Sequence, residues 1–280
     1  MFLNASHAAP APAPSTEPEA GRAPAAARTH RRTAETTRSA ARAPALLVRA
    51  GGASSTALTE GLRASSGGLV VRALPASGPG PLGGAWVHRV AEGLDALAQH
   101  DPHVQPLVVL SAAEAEPGTN LRAGIAEAAA LDCLLAYLCF RGVTVVGLGA
   151  ALPAVARFFG ADAGLPPAAR DGAVATTTTT VCVRGALFEG LPATLSLPRG
   201  ALGAARRDGL PEALAVTAQT DSGDVVAISH RALPVHALGF RPDALDDAAA
   251  CARLCANLVR LAERTSAARR VGLATFRRVK

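Results

Sequence analysis

Aromatic side chains are scarce, 3% of 280 residues, with a single Trp (Trp86) and a single Tyr (Tyr137). A core must therefore be built from Ala, Val and Leu, and an apolar content of 49% supplies enough of them. Lysine is almost absent, since Lys280 stands alone against 27 Arg. That bias, together with abundant Ala, marks a GC-rich coding sequence and carries little functional information. No run approaches the roughly 18–20 apolar residues of a membrane-spanning helix, which excludes one. The chain is too apolar to be wholly disordered, and its Gly and Pro are not periodic enough for a fibre. Five cysteines (Cys133, Cys139, Cys182, Cys251, Cys255) are an odd number scattered over a long chain. They point to reduced thiols in the cytoplasm rather than to a disulfide framework. Cys251 and Cys255 are spaced to share one helix face, but no second ligand pair of zinc type lies near them. Neither a metal nor any other cofactor is expected.

The net charge of +6 suggests nucleic acid only until it is resolved along the chain. Residues 1–43 carry +3 and residues 251–280 carry +7, which leaves −4 for everything between. A mildly acidic globule with basic ends is not a nucleic-acid-binding core, so RNA or an acidic partner is an option only for the ends. Residues 1–43, a Pro/Ala/Thr/Arg mixture with A-P repeats, read as a disordered leader. The leader has no apolar segment of secretory type. Its Arg, Ser and Thr suit organellar import, whereas Glu17, Glu19 and Glu35 oppose it. The ordered domain is expected over 44–264, with a basic tail over 265–280.

Within the domain, short apolar runs alternate with helical stretches. Strands are expected at Ala45–Arg49, Leu69–Leu74, Leu107–Leu110 and Val143–Leu148. Helices are expected from Ser54-Ser55-Thr56 to Arg63, over 86–100, over 121–140 and from Gly149 to Phe159. Strands without polar alternation signal a mainly parallel sheet covered on both faces. Later come short strands at Val174–Arg184, Thr194–Leu197, Ala213–Gln219, Val225–His230 and Pro234–Phe240, with a closing helix from Asp246 to Arg264. The expected fold is α/β, a mixed, mostly parallel central sheet with helices on both faces and an antiparallel extension.

Several segments in this order resemble class I glutamine amidotransferases, specifically the glutaminase subunit of anthranilate synthase and aminodeoxychorismate synthase. The resemblance is carried by Leu187-Phe188-Glu189-Gly190-Leu191-Pro192, Leu214–Thr220, Asp221-Ser222-Gly223 and Ile228-Ser229-His230-Arg231-Ala232-Leu233-Pro234-Val235. Val108–Ser111, Gly147–Gly160 and Leu46–Thr56 extend it, so that it covers roughly residues 44–262. It implies a flavodoxin-like fold and, as partner, a chorismate-using synthase subunit.

The chemistry the resemblance implies needs a Cys on a strand-to-helix elbow, a His as base, a Glu two residues later to orient it, and backbone donors for the oxyanion. Here the elbow reads Gly147-Leu148-Gly149-Ala150-Ala151-Leu152-Pro153, so the nucleophile position is Gly149. The later motif reads Phe240-Arg241-Pro242-Asp243, with Arg241 at the base position and Asp243 at the orienting one. The oxyanion segment begins Ser111-Ala112-Ala113. The former glutamine pocket would be lined by Ala113, Ala151, Leu152 and Pro153. Gly149 offers no nucleophile, and arginine stays protonated and cannot act as a base. The expectation is a non-catalytic binding, regulatory or structural subunit. The alternatives are an active amidotransferase subunit with a non-standard site, supplying ammonia to the synthase, and a pseudoenzyme recruited into an unrelated assembly. An Arg241–Asp243 or Arg241–backbone lock is expected to fill the old site, with Leu152 and Pro153 as an apolar wall; the competing expectation is an outward-pointing Arg241 that binds an anionic ligand or partner. Ser111, His230 and His236 read as strand-end residues, and Thr176–Thr180 as part of a strand.

Overall fold

Ala45–Ala50 forms β1, an apolar strand whose residues alternate between two buried layers. A computed structural model describes residues 42–50, 56–74, 82–99, 105–112, 121–161, 178–198 and 204–278. Beyond β1 come α1 (Thr56–Ser65), β2 (Leu69–Leu74), α2 (Leu82–Ala98), β3 (Leu107–Ala112), α3 (Leu121–Arg141), β4 (Thr144–Gly149) and α4 (Ala151–Phe158). The second half supplies β5 (Thr178–Val183), β6 (Thr194–Pro198), β7 (Leu214–Thr220), β8 (Val225–His230), β9 (Val235–Leu238) and α5 (Ala248–Arg278). The leader expected over 1–43 lies outside the described residues, apart from its last two. Ala43 is already fully buried, and its N–H donates to Glu263 Oε1 at 3.2 Å.

All nine strands join one sheet in the order β2-β1-β3-β4-β9-β8-β7-β5-β6. The first five in that order are mutually parallel, and the pairs from β9 to β6 are antiparallel. The last strand in the chain thus sits mid-sheet, parallel to β4 on one side and antiparallel to β8 on the other. The strand expected at Pro234–Phe240 is Val235–Leu238, among the extension strands that the sequence placed after the parallel half. Its pairing with β4 is a long-range contact that no local sequence signal announces.

Two apolar layers sandwich the sheet. One packs Leu47, Val109, Val146, Leu148 and Leu238 against α1 and α5. The other packs Leu46, Val108, Leu110 and Val145 against α2, α3 and α4. Burial of each full leucine, such as Leu134 or Leu258, contributes about 2 kcal/mol on transfer from water. No helix among the described residues is long and apolar enough to cross a membrane.

The closing helix runs well past Arg264. Residues 265–278, expected as a tail, continue α5 to Arg278. Nothing in Thr265–Arg269 stops a helix, and tertiary contacts reward its continuation. Ser266 Oγ accepts from the Gln105 N–H at 2.9 Å and donates to Ala262 O at 2.8 Å. The Arg269 guanidinium donates to Arg141 O, at the C-terminal end of α3.

Candidate functional site

β4 delivers the elbow to the C-terminal edge of the parallel sheet, where open α/β sheets bind their ligands. Gly149 ends β4 with φ 61°, the left-handed region that a side chain adopts only under strain. Ala150 follows in helical conformation, and α4 begins at once. The chain therefore makes the sharp strand-to-helix turn that presents a nucleophile in many hydrolytic and acyl-transfer enzymes, and glycine occupies its tip. Gly147, two residues earlier, lets α4 approach closely. A Cβ there would come within 3.2 Å of both Ala151 Cβ and Val155 Cγ2.

Ala151 and Leu152 are fully buried, and Pro153 is partly exposed. Pro153 lies in the first turn of α4, where backbone N–H groups lack intrahelical acceptors, so its missing donor costs the helix nothing. Leu152 belongs to the layer beneath α2, α3 and α4, whereas Phe240 belongs to the opposite layer. The structure therefore does not bring Leu152 to the side of the sheet occupied by the residues around Arg241. Ala113 lies outside the described residues. Ser111, just before it, is nearly buried on β3, in register with Leu148 of β4.

β9 carries the second part of the motif to the same edge. Leu238 pairs with Leu148, so the chain leaves β9 beside the elbow. Phe240 is fully buried and stacks against Phe188 with ring centroids 6.5 Å apart. Arg241 and Asp243 then form an ion pair, Nη2 to Oδ2, at 3.1 Å. Pro242–Ala244 is a 3-10 turn, and the pair closes across it. The Arg241 side chain is 39% exposed and that of Asp243 only 10%. Asp243 Oδ1 is buried without a hydrogen-bond partner among the described residues.

None of the five cysteines is on the elbow: Cys133 and Cys139 are on α3, Cys182 on β5, Cys251 and Cys255 on α5. Burial pushes the Cys255 thiol up to about 12, helped by its hydrogen-bonded neighbour Cys251 and by Asp243. His236 Nδ1 and Ser229 Oγ are 2.8 Å apart, and burial lowers the imidazole to about 4. His230 Nδ1 accepts from the backbone N–H groups of Ala232 and Leu233, a turn-fixing role. Among the described residues no cluster of three His, Cys, Asp or Glu could hold a metal.

Sequence reasoning missed a clamp on the Leu187–Pro192 segment. The buried Asn257 amide of α5 donates to Leu187 O and Glu189 O, both at 2.9 Å. Arg260 in turn donates to Asn257 Oδ1. Arg264 pairs with Glu189 at 2.6 Å and, by hydrogen bond and charge, holds that carboxyl below its usual range. A lone Asn in an apolar helix stripe was the available signal.

The sheet order, the glycine elbow and the turn after β9 together define a class I glutamine amidotransferase-like fold. A solved GMP synthase component from Thermoplasma acidophilum shares this fold with a TM-score of 0.53 at 14% identity, over 82% of this chain and 98% of that one. By sequence the chain is related to anthranilate synthase component 2 of Mycobacterium tuberculosis, 31% identical over 129 residues, 46% of this chain and 52% of that protein. It is also 37% identical over 150 residues to an anthranilate synthase of Azospirillum brasilense, covering 54% of this chain and 18% of that protein. The chain thus spans about half the length of the component 2 relative and less of the other. No family model matches it.

Proposed function

We propose that this protein is an amidotransferase-type subunit that binds a partner protein and performs no glutamine hydrolysis of its own. The observation that carries this reading is Gly149 at the tip of the elbow, φ 61°, where a nucleophilic side chain would have to stand. The Arg241–Asp243 ion pair supports it, because a guanidinium engaged by a carboxylate cannot take up the proton a nucleophile must lose. These features depend on one another, since a nucleophile without its base gives little rate. The partner is a chorismate-using synthase subunit, a reading supported by the similarity to anthranilate synthase component 2.

Two measurements test this. Purified protein incubated with glutamine, alone and with a co-expressed synthase subunit, should release no glutamate above background. The Gly149→Cys variant should stay inactive, because Arg241 is already protonated and cannot take up the thiol proton. Turnover accompanied by labelling of Cys133, Cys139 or Cys182 with a thiol-directed glutamine analogue would refute the reading. Affinity capture of the intact chain, followed by mass spectrometry, should recover the synthase subunit.

A further inference from the structure

The antiparallel half of the sheet carries an open cleft of about 60 Å³, lined among others by Arg184, Arg207, Thr217 and Gln219. Its position follows from strand alternation. Val181 and Val183 of β5 point into the layer beneath α1 and α5, so Cys182 and Arg184 face the other way.

A β-bulge shapes the cleft. Val216 pairs with Ile228 and Ala218 with Ala227, which leaves Thr217 as an extra residue on β7. Its carbonyl accepts from the Arg184 N–H at 2.8 Å, holding the start of the Arg184 side chain beside it. Bulges re-aim side chains, and this one sets Thr217 in the wall of the cleft. Thr217 Oγ1 is buried and has no hydrogen-bond partner among the described residues.

Arg207 reaches the same cleft from a 3-10 turn at Arg207–Gly209. Two backbone hydrogen bonds between Ala205 and Val225, at 2.8 and 3.0 Å, anchor the chain just before that turn. Arg207 Nη1 donates to Gln219 Oε1 at 3.2 Å, which leaves the Gln219 amide with its N–H donors to offer. Neither Arg184 nor Arg207 has a carboxylate partner among the described residues. The cleft therefore presents two guanidinium groups without an ion-pair partner among the described residues, and an amide donor. Its volume has room for roughly four waters, comparable to one tetrahedral oxyanion.

We propose that this cleft is a phosphate-binding site, in which Arg184 and Arg207 supply charge-assisted hydrogen bonds and Gln219 supplies a neutral one. The site belongs to the antiparallel half and needs nothing from the elbow.

Titration calorimetry of the full chain at constant ionic strength tests it, with inorganic phosphate, a phosphate monoester such as phenyl phosphate, and chloride as probes. Saturable binding of phosphate or the ester, without saturable binding of chloride, is expected. Arg184→Gln and Arg207→Gln should each weaken it by roughly tenfold or more, and Gln219→Ala by about threefold. Both arginines are exposed, so these variants should melt like the parent when no phosphate is present. Tighter binding of the ester identifies a phosphorylated ligand, and tighter binding of inorganic phosphate the free anion. Absence of saturable binding, or equal affinity in the parent and both arginine variants, overturns the proposal.

Discussion

Arg241 and Asp243 are unequal partners: the guanidinium is 39% exposed, while the carboxylate is 10% exposed and keeps one oxygen without a hydrogen bond among the described residues. Removing the arginine should therefore cost more than an exposed ion pair contributes, because it strands a nearly buried charge. Arg241→Ala should lower stability by about 1–2 kcal/mol after allowance for screening of the exposed partner, read as a shift in urea midpoint. Partner binding should survive the change. His236 gives a second residue-scale test. Its imidazole is held neutral down to about pH 4 by burial, whereas an unfolded histidine takes up a proton near pH 6.5. Between those values the unfolded state binds more protons, so stability is full above pH 6.5 and falls as the pH drops towards 4. The total loss is on the order of 3 kcal/mol. Urea titrations at pH 7 and 4.5 should show a smaller difference for His236→Gln than for the parent. At this scale the sequence revealed the glycine elbow and the spacing of the Arg–Asp pair, both local features. The destination of Leu152 was hidden, since which face a helical leucine covers depends on where the helix docks.

Helix α5 does more than close the fold. Its Asn257, Arg260 and Arg264 fasten the Leu187–Pro192 segment, and Glu263, Ser266 and Arg269 reach Ala43, Gln105 and Arg141. The contacts differ in weight. Asn257→Ala would leave two carbonyls without their donor at a site that is buried at Leu187, and should cost about 1–3 kcal/mol. Arg264→Ala breaks an exposed pair with Glu189 and should leave the melting temperature nearly unchanged. Comparing the two by thermal denaturation separates clamp from surface charge. Near Gly142 (φ 58°) the packing is so close that a Cβ would stand 1.7 Å from Arg269 Nη2. The first four strands were readable as apolar runs because both faces of β1, β3 and β4 are buried and those of the edge strand β2 are half-buried. The length of α5 was not, because apolar periodicity fades after Ala262 and the contacts that order the next turns come from residues far away in sequence.

On the scale of the whole molecule, burial sorts the thiols. Cys133 is exposed, whereas Cys251 and Cys255 are buried and burial raises both. A maleimide at pH 7 should modify Cys133 in the native protein and Cys255 only after denaturant is added, as peptide mass mapping would show. The same scale decides the placement of β9. Four residues, Val235–Leu238, join the parallel half of the sheet to the antiparallel half, and the junction with β4 had to be read from tertiary structure.

That placement has a consequence during synthesis. A ribosome completes β4 at Gly149, but the strand that pairs with its far edge ends only at Leu238. Until then Val145 and Val146 sit on a strand whose outward N–H and C=O groups have no neighbour, the arrangement that templates pairing with another chain. Nascent chains halted between those points should be bound by holdase chaperones and should precipitate without them, whereas release beyond Leu238 lets the sheet seal itself.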